Sequence, residues 1–548
     1  MRKQQAWQLV AAGLLTTAAL PYQAQAADIM VDGTTCTLAN AITSANNNAD
    51  TGGCVASGTY GDDTITLNAD VTLTEALPPI SSFITILGNG NTINGNGDTG
   101  SVLKVNADSG LNLDSATVTG GNTSGSGGGI YNEGSSTLTG VTVTDNTANL
   151  LGGGIENTGA GSISLINCTV SNNMSFFYGG GLENGGNTVT LINSTVSDNT
   201  AAFGGGGIAN DGTLFLNNST VSSNTASGED GGGIINDDTV TLVNSTISGN
   251  TSGDDGGGIT NYGPLTMIGS TISDNTAADD GGGIDNYATL TITNSLVSNN
   301  TATEDGGGIG NTDAQVTLTN STVSGNKAAY YGGGIDNLGG ILTLTHATVS
   351  GNTGLTGGGV NNRDGSVGLI SSLVSGNTGT TGKELHNKVG STATADSSNL
   401  FGHSGETTAE AFLNFLPGTN DINATSDGTN VALAALLNIT LANHGGLTQT
   451  HALVPNSPAI DLDAACSTGL SEDQRGFTRP IGASCDAGAF EYDASTTDND
   501  GDGIYDADDN CPLVANPGQE DSNHNGIGNA CEPKKSKAPL YKLLLLKD

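Results

Sequence analysis

Residues 498–509 read Asp-Asn-Asp-Gly-Asp-Gly-Ile-Tyr-Asp-Ala-Asp-Asp, which puts side-chain oxygens at loop positions 1, 3, 5, 9 and 12. Gly503 stands at position 6 and Ile504, offering its backbone carbonyl, at position 7. A hard cation needs six or more oxygens around a tight turn. This spacing therefore reads Asp498, Asp500, Asp502, Ile504, Asp506 and Asp509 as calcium ligands. A second loop repeats the pattern with Asp521, Asn523, Asn525, Ile527, Asn529 and Glu532. Asn replaces Asp at three of its positions, so it carries less charge and binds more weakly.

Further acids recur at a fixed step. Glu229-Asp230, Asp254-Asp255, Asp279-Asp280 and Glu304-Asp305 are each 25 residues apart. If such a step stacks them, Asp230, Asp255, Asp280 and Asp305 form a ladder of like charges about 5 Å apart. The ladder is either solvated or bridged by cations. Phe176-Phe177-Tyr178, Phe203 and Tyr330-Tyr331 fall at the same turn of neighbouring units; they either meet sugar faces or cover the turn. Glu156 and Glu183 share one position in adjacent units and are candidates for the carboxylate pair of a glycosidase. A lyase acting on polyuronates needs Lys or Arg, and neither occurs between Lys104 and Lys327.

The element that positions these residues is a repeat. Gly-Gly-Gly, an aliphatic residue, any residue and Asn occurs ten times, with Asn at 132, 157, 184, 210, 236, 261, 286, 311, 337 and 362. A near-constant step of 25–27 residues means one coil stacked on itself. Within a unit, Leu290-Thr291-Ile292 alternates at period two, and short β-branched pieces flank it, so three strands per coil are expected and helix is not. The result is an all-β parallel solenoid. Each coil has a second Asn in Val/Ile-Ser-x-Asn, expected to turn the corners in left-handed backbone and to form stacked amide ladders. The glycines are expected where a Cβ would clash.

Composition bounds the setting. The 548 residues carry 14 Lys plus Arg against 54 Asp plus Glu, a net charge of −40, which repels nucleic acid and anionic lipid and attracts divalent cations. Arg2-Lys3, an apolar run from Leu9 to Leu20 and Ala24-Gln25-Ala26 read as a signal peptide too short to span a bilayer, and no later segment reaches spanning length. In an exported chain the local cysteine pairs Cys36–Cys54, Cys466–Cys485 and Cys511–Cys531 are expected as disulfides. Cys168 is left over; it replaces the Ser of the repeat and is expected to pack as a small side chain.

Several strings resemble known families. The GGGI-x-N and Val-Ser-x-Asn units resemble the repeats of polymorphic outer-membrane proteins and the pectate-lyase-like right-handed β-helices over residues 62–403. Val or Ile stands where the former have Phe, and no autotransporter barrel follows. Cys36-Thr37-Leu38-Ala39-Asn40-Ala41 resembles a degenerate CSLREA domain, with a short helix capped by Thr35. Gly445–His451, Ser457–Asp461, Asp473–Gly476 and Cys485–Tyr492 are similar to the choice-of-anchor Q domain, which implies structural places for His444 and His451. Cys511-Pro512 and Asn516-Pro517 beside the acidic loops resemble thrombospondin type 3 repeats.

The organisation expected is a signal peptide at 1–26, an N-terminal cap at 27–61, a right-handed β-helix at 62–403, a C-terminal cap at 404–493, calcium repeats at 494–532 and a basic tail at 533–548. The function expected is a cell-surface, calcium-binding, structural or adhesive protein facing a glycan or another surface. The alternative is a polysaccharide-degrading β-helix enzyme.

Overall fold

The computed structural model describes residues 26–97, 100–395, 398–464, 466, 468–523 and 526–532. Apart from Ala26, the segment read as a signal peptide lies outside them, as does the tail at 533–548. No helix among the described residues is long and apolar enough to cross a membrane.

The chain winds as a right-handed parallel β-helix. One coil comprises Ile259–Asn261, Leu265–Ile268, Thr271–Ser273 and Thr276–Ala277. Each strand pairs in parallel with its equivalent one coil on. Among the described residues the sheets contain 13, 15, 15 and 9 strands, in the order of these four pieces. Three strands per coil were expected. The fourth, a Thr-Ala or similar pair after the second Asn, is two residues long, too short to show a period.

Inward-facing Ile259, Leu265, Met267 and Ile272 are at most 1 % exposed and continue a single apolar core through the stack. Buried amides run beside it. From Asn132 to Asn387, each Asn of the triplet motif donates through Nδ2 to Oδ1 of the next, as at Asn261–Asn286 (2.8 Å) and Asn337–Asn362 (2.8 Å). The second Asn series does the same, and its backbone N–H donates to the same oxygen: Asn275 to Asn300 at 3.0 Å from N and 2.9 Å from Nδ2. A third ladder is made of serines, Ser245 N to Ser270 Oγ at 3.1 Å and onward. Cys168 stands in this ladder; its Sγ receives Val141 N, and its own N donates to Ser194 Oγ.

The left-handed corners fall one residue earlier than expected. Asp198, Ser223, Asp274 and Asn299, each just before a ladder Asn, adopt positive φ. They turn the chain so that the ladder Asn itself points inward. In the triplet, Gly256 has φ +62°, and a Cβ on Gly257 or Gly258 would lie 2.5 Å from the carbonyl oxygen of the coil above.

At the front, helix α1 (Leu38–Asn47) buries Leu38, Ala41, Ile42 and Ala45 over the first coil. Its N-cap is Thr37, not Thr35; Thr35 instead bonds the Asp32 carboxylate. Cys36–Cys54 clips this segment, and Cys466–Cys485 and Cys511–Cys531 are also formed. At the far end Phe401, Phe412 and Phe415 pack edge-to-face, with helix α2 (Thr408–Ala411) beside them. The chain then runs back along the stack's flank. Thr450 and Gln474 bond Thr322, His451 bonds Ser324 at 2.8 Å, and Asp463 accepts from Ser371.

Asn275 links three coils through buried hydrogen bonds, accepting from Asn250 and donating to Ile247 O. Asn275→Leu is expected to cost about 3 kcal/mol or more, because it strands buried donors and acceptors. The exposed Thr276→Ala should stay within about 0.5 kcal/mol. Urea unfolding of the two variants measures the contrast.

Candidate functional site

Both acidic loops turn on the same bond. Gly503 N donates to Asp498 Oδ2 at 3.0 Å, and Gly526 N to Asp521 Oδ2 at 2.9 Å; both glycines have positive φ. In the first loop the carboxylates of Asp498, Asp500 and Asp502 lie within 4.8 Å of one another. Asp500 Oδ2 and Asp509 Oδ2 are buried without a hydrogen-bond partner. Such convergence suits a hard cation. Ile504 follows the bend, its N–H on Asp502 Oδ1. Asp506 is elsewhere: it accepts from Asn499 N and Nδ2 and from Tyr492 Oη, tying the loop to the flank. In the second loop Asn523 bonds Glu532 and Asn529 bonds Ser522; Ile527 follows Gly526, and Asn525 lies outside the described residues. Cys511–Cys531 joins the two loops.

A cleft of about 590 Å³ beside the first loop is lined by Asp498, Asp500, Arg475 and His444. Burial, then Arg475, pushes His444 down to about 4, so it is neutral at physiological pH. His451 is wedged between Ser324 Oγ and Asn438 O.

The repeated turn acids are held in place. Asp255 Oδ1 accepts from Asp280 N, Asp280 Oδ1 from Asp305 N, and Asp305 Oδ1 from Tyr331 N, at 2.8–3.0 Å. Asp230 instead accepts from Tyr262 Oη at 2.8 Å. The ladder therefore has backbone anchors, and other acids complete its clusters: Asp254, Asp255 and Asp279 form one, Asp279, Asp280 and Glu304 the next. Burial and then neighbouring carboxylates raise Asp255 to about 6.

Three side chains of this face were not read from the sequence. Tyr262 and Tyr287 stack at 5.0 Å between ring centres; each follows a ladder Asn, a spacing that would have shown them 25 residues apart. Arg363 reaches back across two coils to Asp305 at 2.7 Å, contacts Asp336, and covers the Tyr331 ring. Its number lies outside the basic gap, yet its side chain ends inside it. Phe177 and Phe203 stack at 5.2 Å, with Phe176 and Tyr178 packed on them.

Glu156 and Glu183 lie in register on adjacent strands. They are buried, not surface acids: 4 % and 3 % exposed, each with one unpartnered oxygen. Gly185 lies over both, its Cβ position 4.0 Å from each Oε1. Burial, then Asp211, raises Glu156 to about 8; burial, then Glu156, raises Glu183 well above the usual range.

Residues 181–354 match the family described as a right handed beta helix region, and residues 493–519 match the thrombospondin type 3 repeat. No curated protein matches the chain in sequence. Among solved structures, the chain is similar to the periplasmic alginate epimerase AlgG (12 % identity, TM-score 0.36, covering 62 % of this chain and 77 % of that one). It is also similar to the pectate lyase Pel9A (14 % identity, TM-score 0.29, covering 79 % and 88 %).

Glu156 binds its proton more tightly in the fold than in the unfolded chain, so its contribution to stability is full below the unfolded value of 4.5 and is lost as pH rises towards 8. Glu156→Gln removes that loss. The variant should match the parent in melting temperature near pH 4 and exceed it near pH 8, as scanning calorimetry at the two pH values would show.

Proposed function

We propose that the chain is an exported, surface-displayed β-helix, stiffened by calcium at its C-terminal repeats, with a structural or adhesive role. The observation that carries this reading is the repetition of anchored carboxylate clusters at Asp254, Asp255, Asp279, Asp280 and Glu304, one coil apart. A coil spacing of about 4.8 Å repeats the same cation-binding group along one edge. Calcium held there bridges to hydroxyls or carboxylates of a glycan, or to another acidic surface. Tyr262 and Tyr287 offer aromatic rings beside it. The three disulfides fit an oxidising compartment. The amino-terminal string supplies the export signal and calcium is the resident ion; Asp498, Asp500, Asp502 and Asp509 hold it in the first loop, and Asp521 and Glu532 contribute in the second.

A polysaccharide-degrading enzyme is the second reading. It is favoured by the paired, proton-holding Glu156 and Glu183. A protonated carboxyl at neutral pH is a general acid.

Calcium at 100 times its Kd should stabilise its segment by about 2.7 kcal/mol. Chelation should therefore lower the melting temperature and open residues 498–532 to protease, and Asp500→Asn should reproduce both; indifference to chelation removes calcium from the proposal. A polysaccharide panel then separates the two readings. Calcium-dependent retention without cleavage supports adhesion. Cleavage lost in Glu156→Gln or Glu183→Gln supports the enzyme.

A further inference from the structure

The last triplet breaks the rule of the repeat. Val360 pairs with Leu385, so Glu384 in Gly382-Lys383-Glu384 occupies the place of the third glycine, Gly359, one coil earlier. Inside the stack a side chain is excluded there: a Cβ on Gly359 would lie 2.8 Å from Asn377 Nδ2. At the end of the stack that space is vacated. Counting on from the paired Val374 and Phe401, Ser404 stands where the next ladder Asn is due. Glu384 turns into the gap. Its Oε1 accepts from Gly376 N at 2.7 Å and its Oε2 from Asn377 Nδ2 at 2.6 Å, replacing the oxygen the next Asn would supply.

Two further side chains converge on this carboxylate from the closing segment. His403 Nδ1 lies 3.8 Å from Glu384 Oε1 and 3.3 Å from Glu406 Oε1. Glu384 is fully buried and Glu406 is 2 % exposed. His403 Nδ1 and both oxygens of Glu406 are buried and make no hydrogen bond. Gly402, at φ +71°, keeps the space beside Glu406 open; a Cβ there would come 3.2 Å from Oε1. The His403 ring is 21 % exposed, so the cluster has a route to solvent.

These spacings are those of ligands around one ion. Two donors each about 2.1 Å from a tetrahedral centre lie about 3.4 Å apart. We propose that Glu384, His403 and Glu406, with water entering past His403 as the fourth donor, form a site for a divalent transition ion, zinc being the best fit, which locks the last coil to the segment that closes it. The imidazole separates this site from the all-oxygen calcium loops, since nitrogen donors suit zinc and its neighbours rather than calcium. Glu384 is already oriented by the Gly376 and Asn377 donors, as metal-binding carboxylates are. The 3.3 Å contact between His403 Nδ1 and Glu406 Oε1 also suits an ion pair. The alternative to a metal is thus a proton shared within the cluster.

Cobalt distinguishes the two. Full-length protein, stripped of metal and then saturated with calcium to fill the acidic loops, is titrated with Co²⁺ and then Zn²⁺. One equivalent of Co²⁺ should give the visible absorption of a tetrahedral site, and Zn²⁺ should erase it and raise the melting temperature. His403→Gln, the most exposed of the three, should abolish the absorption while keeping the parent circular dichroism, and Glu406→Gln should weaken binding about tenfold or more. Asp500→Asn, in the calcium loop, should leave it unchanged. Absence of the absorption in the parent protein overturns the proposal, as does absorption that persists in His403→Gln.

Discussion

A coil of this molecule cannot satisfy its own buried polar groups; only the coils above and below can. Asn275 gives its amide and backbone protons to Asn300 and takes those of Asn250, and the serine ladder repeats the scheme with one hydroxyl per coil. Each such bond contributes about 1 kcal/mol net, but leaving a buried donor without its acceptor costs about 1–3 kcal/mol. The apolar core gives the stack its driving force, and the ladders give it register, since a one-residue slip would break three series at once. The same logic makes the two ends the difficult places. The front is closed by a disulfide-clipped helix. The back is closed by a carboxylate that imitates the missing Asn and by three phenylalanines over the last coil.

Stacking also decides how charge is tolerated. Any acid in a fixed slot meets its copy one coil away, and two carboxylates about 4.8 Å apart repel by about 3 kcal/mol at an effective dielectric of 20. The structure relieves this in different ways at different coils. Asp255, Asp280 and Asp305 each accept a backbone N–H from the next coil. Arg363 neutralises Asp305 and Asp336 together. Glu156 and Glu183, with no basic partner among the described residues, have their carboxyls pushed up by burial. Asp254, Asp279 and Glu304 receive neither a backbone donor nor an arginine among the described residues, which is the ground for the cations proposed there.

The period of 25–27 residues exposed the solenoid because, inside the stack, glycine triplets and ladder amides tolerate no substitute. Features that depend on one or two residues did not show. The Thr-Ala strand is too short for alternation, and the left-handed corner residue varies among Asp, Ser, Asn and Gly. Thr35 and Thr37 are equally good caps in sequence, and only the bond from Asn40 N to Thr37 Oγ1 chooses between them. The calcium spacing was legible as a local string, yet Asp506, a ligand by position, is drawn away by Asn499 and Tyr492, contacts that a ligand count does not contain. The burial of Glu156 and Glu183 was invisible because strand alternation points them outward, and only the structure places Gly185 beside both.

In so regular a chain, departures from the repeat carry the information, and packing explains most of them. Cys168 takes over a serine's place in its ladder, with Sγ receiving the same backbone donor. His346, at a corner otherwise held by Asn320 or Ser371, is met by Asp486 O, Thr468 Oγ1 and Arg479 of the returning flank. Each substitution is matched by a contact that uses all its polar atoms. Glu384 is matched in the same way, by Gly376 and Asn377. His403 Nδ1 and Glu406 meet only as an ion pair, 3.3 Å apart, although a buried carboxylate making no hydrogen bond is among the most costly arrangements a fold can keep. Elsewhere the chain satisfies its buried groups with oriented donors; here the imidazole Nδ1 faces the charges of Glu384 and Glu406. An ion held by all three, as proposed, gives that departure its reason.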